Sequence, residues 1–255
     1  MKVTAHQIPL LPWGGFWGKA MVARHLILMA DMPVTSTDHL TDFNIGGTRI
    51  SLSLGKERKE MASALVTHHS VMKLRKTVEQ QIINKKSPGY AYMKEGWDRL
   101  TYVLDSLYGN NDVHLQTLNC GLMDMVCKWL DQTTNPVDFT MVRYPRYPED
   151  KVDYPYGVPN AIKTKRLMSY LDNAVNGRTE NQEGLVYLSG GGGSNYLVPE
   201  YIPDHVSVHL QVILPNMPPG TFLQTLASVA HPQEAVNKVL QAQEWTLFKR
   251  AKASK

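Results

Sequence analysis

Four consecutive glycines, Gly190-Gly191-Gly192-Gly193, are the segment of this chain best suited to chemistry, because a backbone without side chains can bring its N–H groups up to a phosphate. That chemistry needs a helix to begin at once, so that free N–H groups and the helix dipole face the anion. Here Ser194 to Pro199 reads as extended and no lysine follows the glycines, so neither the dinucleotide fingerprint nor the P-loop spacing is met. The stretch reads instead as a flexible hairpin loop. His205 and His209 have the spacing at which a helix binds zinc, but the valines around them alternate as in a strand. On a strand the two imidazoles lie about 13 Å apart, at about 3.3 Å per residue, and cannot share an ion. His68 and His69 point about 100° apart on a helix. The sequence therefore nominates no catalytic residue, no metal ligand and no cofactor.

Two other groups of residues are suited to contact. Between Arg49 and Lys86, nine basic residues stand against three acidic ones (Glu57, Glu60 and Glu79), a local excess of six in a chain whose net charge is +4. Lys56, Arg58, Lys59, Lys73, Arg75, Lys76, Lys85 and Lys86 fall on or beside one expected helix, a pattern able to attract a phosphate backbone through counterion release. The same pattern suits a solvated helix face or an acidic patch on a neighbouring subunit. Aromatic residues form the second group. Tyr144, Tyr147, Tyr154 and Tyr156 are interleaved with Pro145, Pro148, Pro155 and Pro159. Proline fixes φ and removes a donor, so this segment is expected to be extended and to stay outside the interior of a sheet. Tyrosine adds a large apolar face with a polar tip. At the N-terminus Trp13, Phe16 and Trp17 sit among Gly14, Gly15 and Gly18, and residues 1–23 read as an arm that docks on its own core or on a neighbour.

The elements that must carry these residues follow from periodicity. His25 to Met32 is a short apolar strand, and Ile50, Leu52 and Leu54 alternate with polar residues on a second. A helix is expected over 56–84, with Ala64, Val71, Leu74, Val78 and Ile82 on one face. Another runs from Tyr90 to Tyr108 and stops at Gly109-Asn110-Asn111. A third is capped by Asp112 and buries Leu115, Leu118, Leu122, Met125 and Trp129. Strands are expected at 137–142, 185–188 and 205–214, and a helix at 161–175. The last helix begins near Pro232, a suitable first-turn residue, and continues through Trp245 and Phe248. Without regular βα alternation the fold class is α+β: a mostly antiparallel or mixed sheet, a central helical block over about 56–131 and a C-terminal helix. No linker divides residues 1–255, which read as a single domain with the N-terminal arm 1–23 and the Tyr-Pro loop 144–159 as extensions.

Composition narrows the setting. The chain has 255 residues, 43% hydrophobic and 20% charged, within the range of a globular domain. No apolar run reaches signal-peptide or membrane-spanning length. Cys120 and Cys127, about 10.5 Å apart along one helix, are too far apart to pair. These features give the expectation of a cytoplasmic or virion protein in a reducing compartment, neither secreted nor membrane-bound. With aromatic extended segments and no convergent catalytic set, the sequence favours a non-enzymatic structural subunit of a larger homo- or hetero-oligomeric assembly, such as a virus or phage particle. Trp13, Phe16, Trp17, Tyr144, Tyr147, Tyr154 and Tyr156 are its expected partner interface. A nucleic-acid-binding protein using the basic helix 56–86 is the alternative, and an enzyme with a site assembled from scattered residues the second.

Overall fold

The computed structural model describes residues 1–30, 34, 40–45, 48–55, 63–142, 160–175 and 184–249. Tyr144, Tyr147, Tyr154, Tyr156, Lys56, Arg58 and Lys59 lie outside these residues. The chain opens with strand β1 (Lys2–Gln7), helix α1 (Gly14–Ala23) and strand β2 (His25–Met29). Next come β3 (Asp42–Ile45), β4 (Thr48–Ser51), β5 (Leu65–Val66), α2 (His68–Gln81), α3 (Tyr90–Tyr108), β6 (Val113–His114) and α4 (Leu115–Leu130). The chain then rejoins the main sheet through β7 (Asp138–Val142), α5 (Asn160–Val175), β8 (Leu185–Ser189), β9 (Val206–Ile213), α6 (Phe222–Ala227), α7 (Pro232–Leu240) and β10 (Gln243–Lys249).

The fold is α+β, built on a mixed six-stranded sheet in the order β10-β9-β8-β1-β2-β7. It is parallel throughout except for the edge strand β10, which runs antiparallel to β9. Along the chain, strands are added from β1 outward to β2 and β7, then on the other side of β1 to β8, β9 and β10. This is the strand order of the doubly wound nucleotide-binding sheets, whose direction of growth reverses at the first strand. The helical block from α2 to α4 interrupts the first half between β2 and β7, and so conceals the βα alternation in the sequence.

Residues alternate between two cores, as period-two strands require. Leu26 and Leu28 face the larger core with α1, α4, α6 and α7, whereas Val3, Ala5 and Ile27 face a smaller one under α5. Both faces of the sheet are thus covered, as a parallel sheet needs.

Several expectations are corrected here. Residues 1–23 are not an arm, because β1 lies in the middle of the sheet and α1 packs on it. The helix expected over 56–84 begins only at His68; Ala64 precedes β5, which pairs with β6. Asp112 does not cap α4 but reaches across to α2, its Oδ1 accepting from the His68 N–H at 3.0 Å. The final helix stops at Leu240, and Trp245 and Phe248 lie on β10. Gly190–Gly193 is not a hairpin either, since β8 and β9 are parallel and joined by a crossover. By contrast, α3 has the expected limits, with Gly109 at its C-cap in a positive-φ conformation (φ 55°).

Candidate anion-binding site

In an open sheet of this order, the carboxyl ends of the first strand and of the strand beside it on the other half splay apart and leave a crevice. Here those strands are β1 and β8, and a cavity of about 490 Å³ opens at that place. Two glycine-rich segments border it. After β1 the chain runs through Ile8 to Trp13 into α1, whose first turn holds Gly14 and Gly15. After β8 the glycine loop forms a 3₁₀ turn over Gly191–Asn195.

The loop following β1 is fixed from behind. Asn119 of α4 donates from Nδ2 to the Ile8 carbonyl at 2.9 Å and to the Leu40 carbonyl at 3.0 Å. Ile8, Leu10 and Leu11 are buried, and the Phe222 N–H donates to the Pro12 carbonyl at 2.9 Å. Helix α1 is held equally firmly. Gln211 of β9 donates from Nε2 to the Gly15 carbonyl at 2.8 Å and to Gln243 Oε1, while Gln243 Nε2 donates to the Gly18 carbonyl at 3.2 Å. Phe16 and Trp17, 3% and 1% exposed, pack edge-on at 5.4 Å, and Trp17 reaches Phe222 at 5.9 Å. These two residues are used up in the chain's own core, which corrects their assignment to a partner interface. Trp13 alone of the three is open, at 45% exposure, and it lines the cavity.

Lys19 is the charged residue of this cavity. It is 7% exposed, yet it lines the crevice, with its Nζ about one van der Waals contact (3.5 Å) from the space a Cβ at Gly190 would occupy. No hydrogen bond or ion pair joins it to another described residue. Burial pulls its pKa from the ordinary 10.5 to about 8, so the ammonium remains mostly charged at neutral pH. The N–H groups of Gly14 and Gly15, unsatisfied within a helix by position, have no partner among the described residues either. A largely buried cation and a glycine loop thus line one cavity. Together they are able to hold an anion with several oxygens.

Sequence reasoning passed over Lys19, although a signal was present. Gly15 and Gly18 occupy the last two glycine positions of the pattern G-x-G-x-x-G, with Trp13 at the first and Lys19 immediately after. The aromatic residues drew that segment into an arm, and without a strand before it the pattern had no context.

The basic set divides. Lys73 and Lys76 on α2 and Lys85 and Lys86 beyond it are exposed, while Arg75 pairs with Asp105 of α3 at 2.6 Å. The described members lie on or just beyond α2, and none of them lines the crevice. A second cavity, of about 530 Å³, opens between α3 and α4, where Lys128 pairs with Asp124 and Glu95 and Arg99 also line the wall. The thiols are poor nucleophiles, since burial pushes Cys120 up to about 11 and Cys127 to about 12. Among the described residues no helix is long and apolar enough to cross a membrane. The chain matches no protein family, no curated protein and no solved structure.

Proposed function

We propose that this protein binds a phosphate-bearing ligand in the crevice between β1 and β8. The observation that carries this reading is Lys19: a buried ammonium with no counter-charge among the described residues, aimed into a cavity at the switch point of the sheet. An isolated buried charge is costly, and an anion in the crevice offsets that cost. Thermal unfolding of the whole chain with inorganic tripolyphosphate tests it. The wild-type Tm is expected to rise with ligand concentration, as for any ligand that binds the folded state alone. Lys19→Met should abolish the rise. An equal response from both proteins, or none from the wild type, overturns the reading.

A role as a subunit of an assembly stands as a second reading, and a different surface supports it. On α3, Tyr102 and Leu107 are 73% and 65% exposed, with Val103 beside them and Met72 of α2 also open. Large apolar side chains left open to solvent are characteristic of contact surfaces, and Tyr102 and Leu107, five positions apart, spread theirs over about 140° of α3. Light scattering after size-exclusion chromatography at low and high salt should then show a discrete multimer, which Leu107→Glu reduces to the 28.7 kDa chain. A monomer under every condition removes this reading and leaves the crevice unaffected.

A further inference from the structure

The crevice has a chemically mixed lining. Lys19, Gly190–Gly192, His6 and Gln211 are its polar residues, and Trp13, Phe16 and Ile213 its apolar ones. A phosphate group alone satisfies the first and leaves the second wet. The volume, about 490 Å³, is that of a site for a whole organic ligand.

Trp13 is the unusual member of the apolar wall. Trp17, Trp97 and Trp129 are buried, as large aromatic residues in a well-packed chain should be, but Trp13 leaves 45% of its surface open. It is nevertheless held in place. Its backbone bridges to Thr221, and its carbonyl accepts from the Phe16 N–H at 3.1 Å. Its six-membered ring lies across the backbone of Gly15 so closely that a Cβ there would come within 2.2 Å of Cη2. Gly15 therefore provides the seat of the indole, and the ring is pinned against the first turn of α1 while partly exposed in the lining of the same crevice. An open, preorganised indole is a stacking surface, and every nucleobase offers a π-face to one.

We infer that the ligand of this crevice is a nucleotide, with its phosphates at Lys19 and the glycine loop and its base stacked on Trp13. This rests on the anion-binding reading and goes beyond it by fixing the ligand class and the residue that recognises its base. Trp13 acts as a binding residue; no chemical step is assigned to it.

The test is a set of calorimetric titrations of the full chain with ATP, GTP, inorganic tripolyphosphate, adenosine and guanosine, using wild type, Trp13→Ala and Trp13→Phe. Cooperative thermal unfolding and an unaltered far-UV spectrum establish that both variants are folded, with a modest fall in Tm expected for Trp13→Ala from the half of the indole that packs on Gly15. Trp13→Ala should weaken the preferred nucleoside triphosphate by roughly 5- to 150-fold, the range measured for loss of one base–aromatic stack. Trp13→Phe should restore most of the affinity, and neither variant should alter the binding of tripolyphosphate. Three results overturn the inference while leaving the anion site standing. These are tripolyphosphate binding as tightly as either nucleotide, Trp13→Ala binding nucleotide like wild type, and Trp13→Ala weakening tripolyphosphate equally. If neither tripolyphosphate nor any nucleotide binds the wild type, both the anion site and the nucleotide assignment fall.

Discussion

The two glycine-rich segments of this protein lie against the same cavity and use glycine differently. In α1, each glycine is a place where something else must fit. A Cβ on Gly14 would come within 2.9 Å of Met217 Sδ, one on Gly15 would strike the Trp13 ring, and one on Gly18 would lie 2.3 Å from Gln243 Oε1. The loop after β8 divides: a Cβ on Gly191 would lie 3.0 Å from the Gln211 carbonyl and one on Gly193 2.2 Å from Ser189 Oγ, whereas Gly192 has nothing within 4 Å and Gly190 meets only the Lys19 ammonium at 3.5 Å. The first segment spends all its missing side chains on close packing, and the second keeps Gly190 and Gly192 for access. Rigid α1 and open loop then form the two walls of one crevice, a fixed wall that carries the charge and a bare wall that lets a ligand reach it.

The most severe way to break this contrast is to remove the packing that makes α1 rigid. Trp17→Ala empties a site between Phe16 and Phe222 and should cost about 3–5 kcal/mol, the usual loss for a large aromatic deleted from a core. Urea denaturation measures it. A loss below about 1 kcal/mol would show that α1 is loosely seated.

Lys19 comes next, because it joins the rigid wall to the open one. Its folded pKa of about 8 lies below the ordinary 10.5, so between those two values the unfolded chain binds the proton that the folded chain has released. Stability accordingly rises with pH across that window, and below pH 8 the full penalty applies. At about 1.36 kcal/mol per pH unit the penalty is on the order of 3 kcal/mol. Lys19→Met should therefore be more stable than wild type at pH 7 without ligand, and the difference should shrink towards pH 10.5. Urea titrations of both proteins at pH 7, 8, 9 and 10 give this difference directly, and a constant offset across the series would refute the buried, unpaired charge.

Much of this architecture was legible one element at a time. The limits of α3, the buried face of α4 and the alternation of β9 follow from local period and local stop signals, which Leu118, Trp129, Gly109 and Val208 supply without knowledge of any partner. What was not legible depends on partners far away in sequence. Trp245 and Phe248 have a helical spacing, and only the pairing of β10 with β9 makes them residues of a strand. The hairpin reading of Gly190–Gly193 presupposed antiparallel neighbours, whereas β8 and β9 are parallel. The site itself joins His6, Trp13, Lys19, Gly190 and Gln211, which the chain scatters over some two hundred positions. Only the order of strands in the sheet brings them together, and the three-helix insertion between β2 and β7 hides that order.

Gly18→Ala sharpens the contrast at a smaller scale. Alanine in a helix interior is favoured over glycine by about 1 kcal/mol, so a solvent-facing site would gain stability. Here the new methyl meets a buried amide that already bonds the Gly18 carbonyl and Gln211. Overpacking costs about 1–3 kcal/mol, and a buried hydrogen bond lost with it about 1 more. The sum is a net destabilisation of about 1–3 kcal/mol, read as a lowered urea midpoint at an unchanged m-value.

Gly192→Ala is the smallest perturbation of the fold and the most selective for the site. Its methyl would project into open space and its φ is not positive, so stability should stay within about 0.5 kcal/mol of wild type. The open space, however, is the crevice. A group the fold does not notice still occupies room that an anion's oxygens need, and tripolyphosphate should bind about tenfold more weakly, on the order of 1.4 kcal/mol. Urea denaturation and calorimetry on the same variant separate the two effects. Lost affinity at unchanged stability is what a glycine kept for access produces. Lost stability would mean that Gly192, like Gly18, is there for packing, and the distinction between the two walls would disappear.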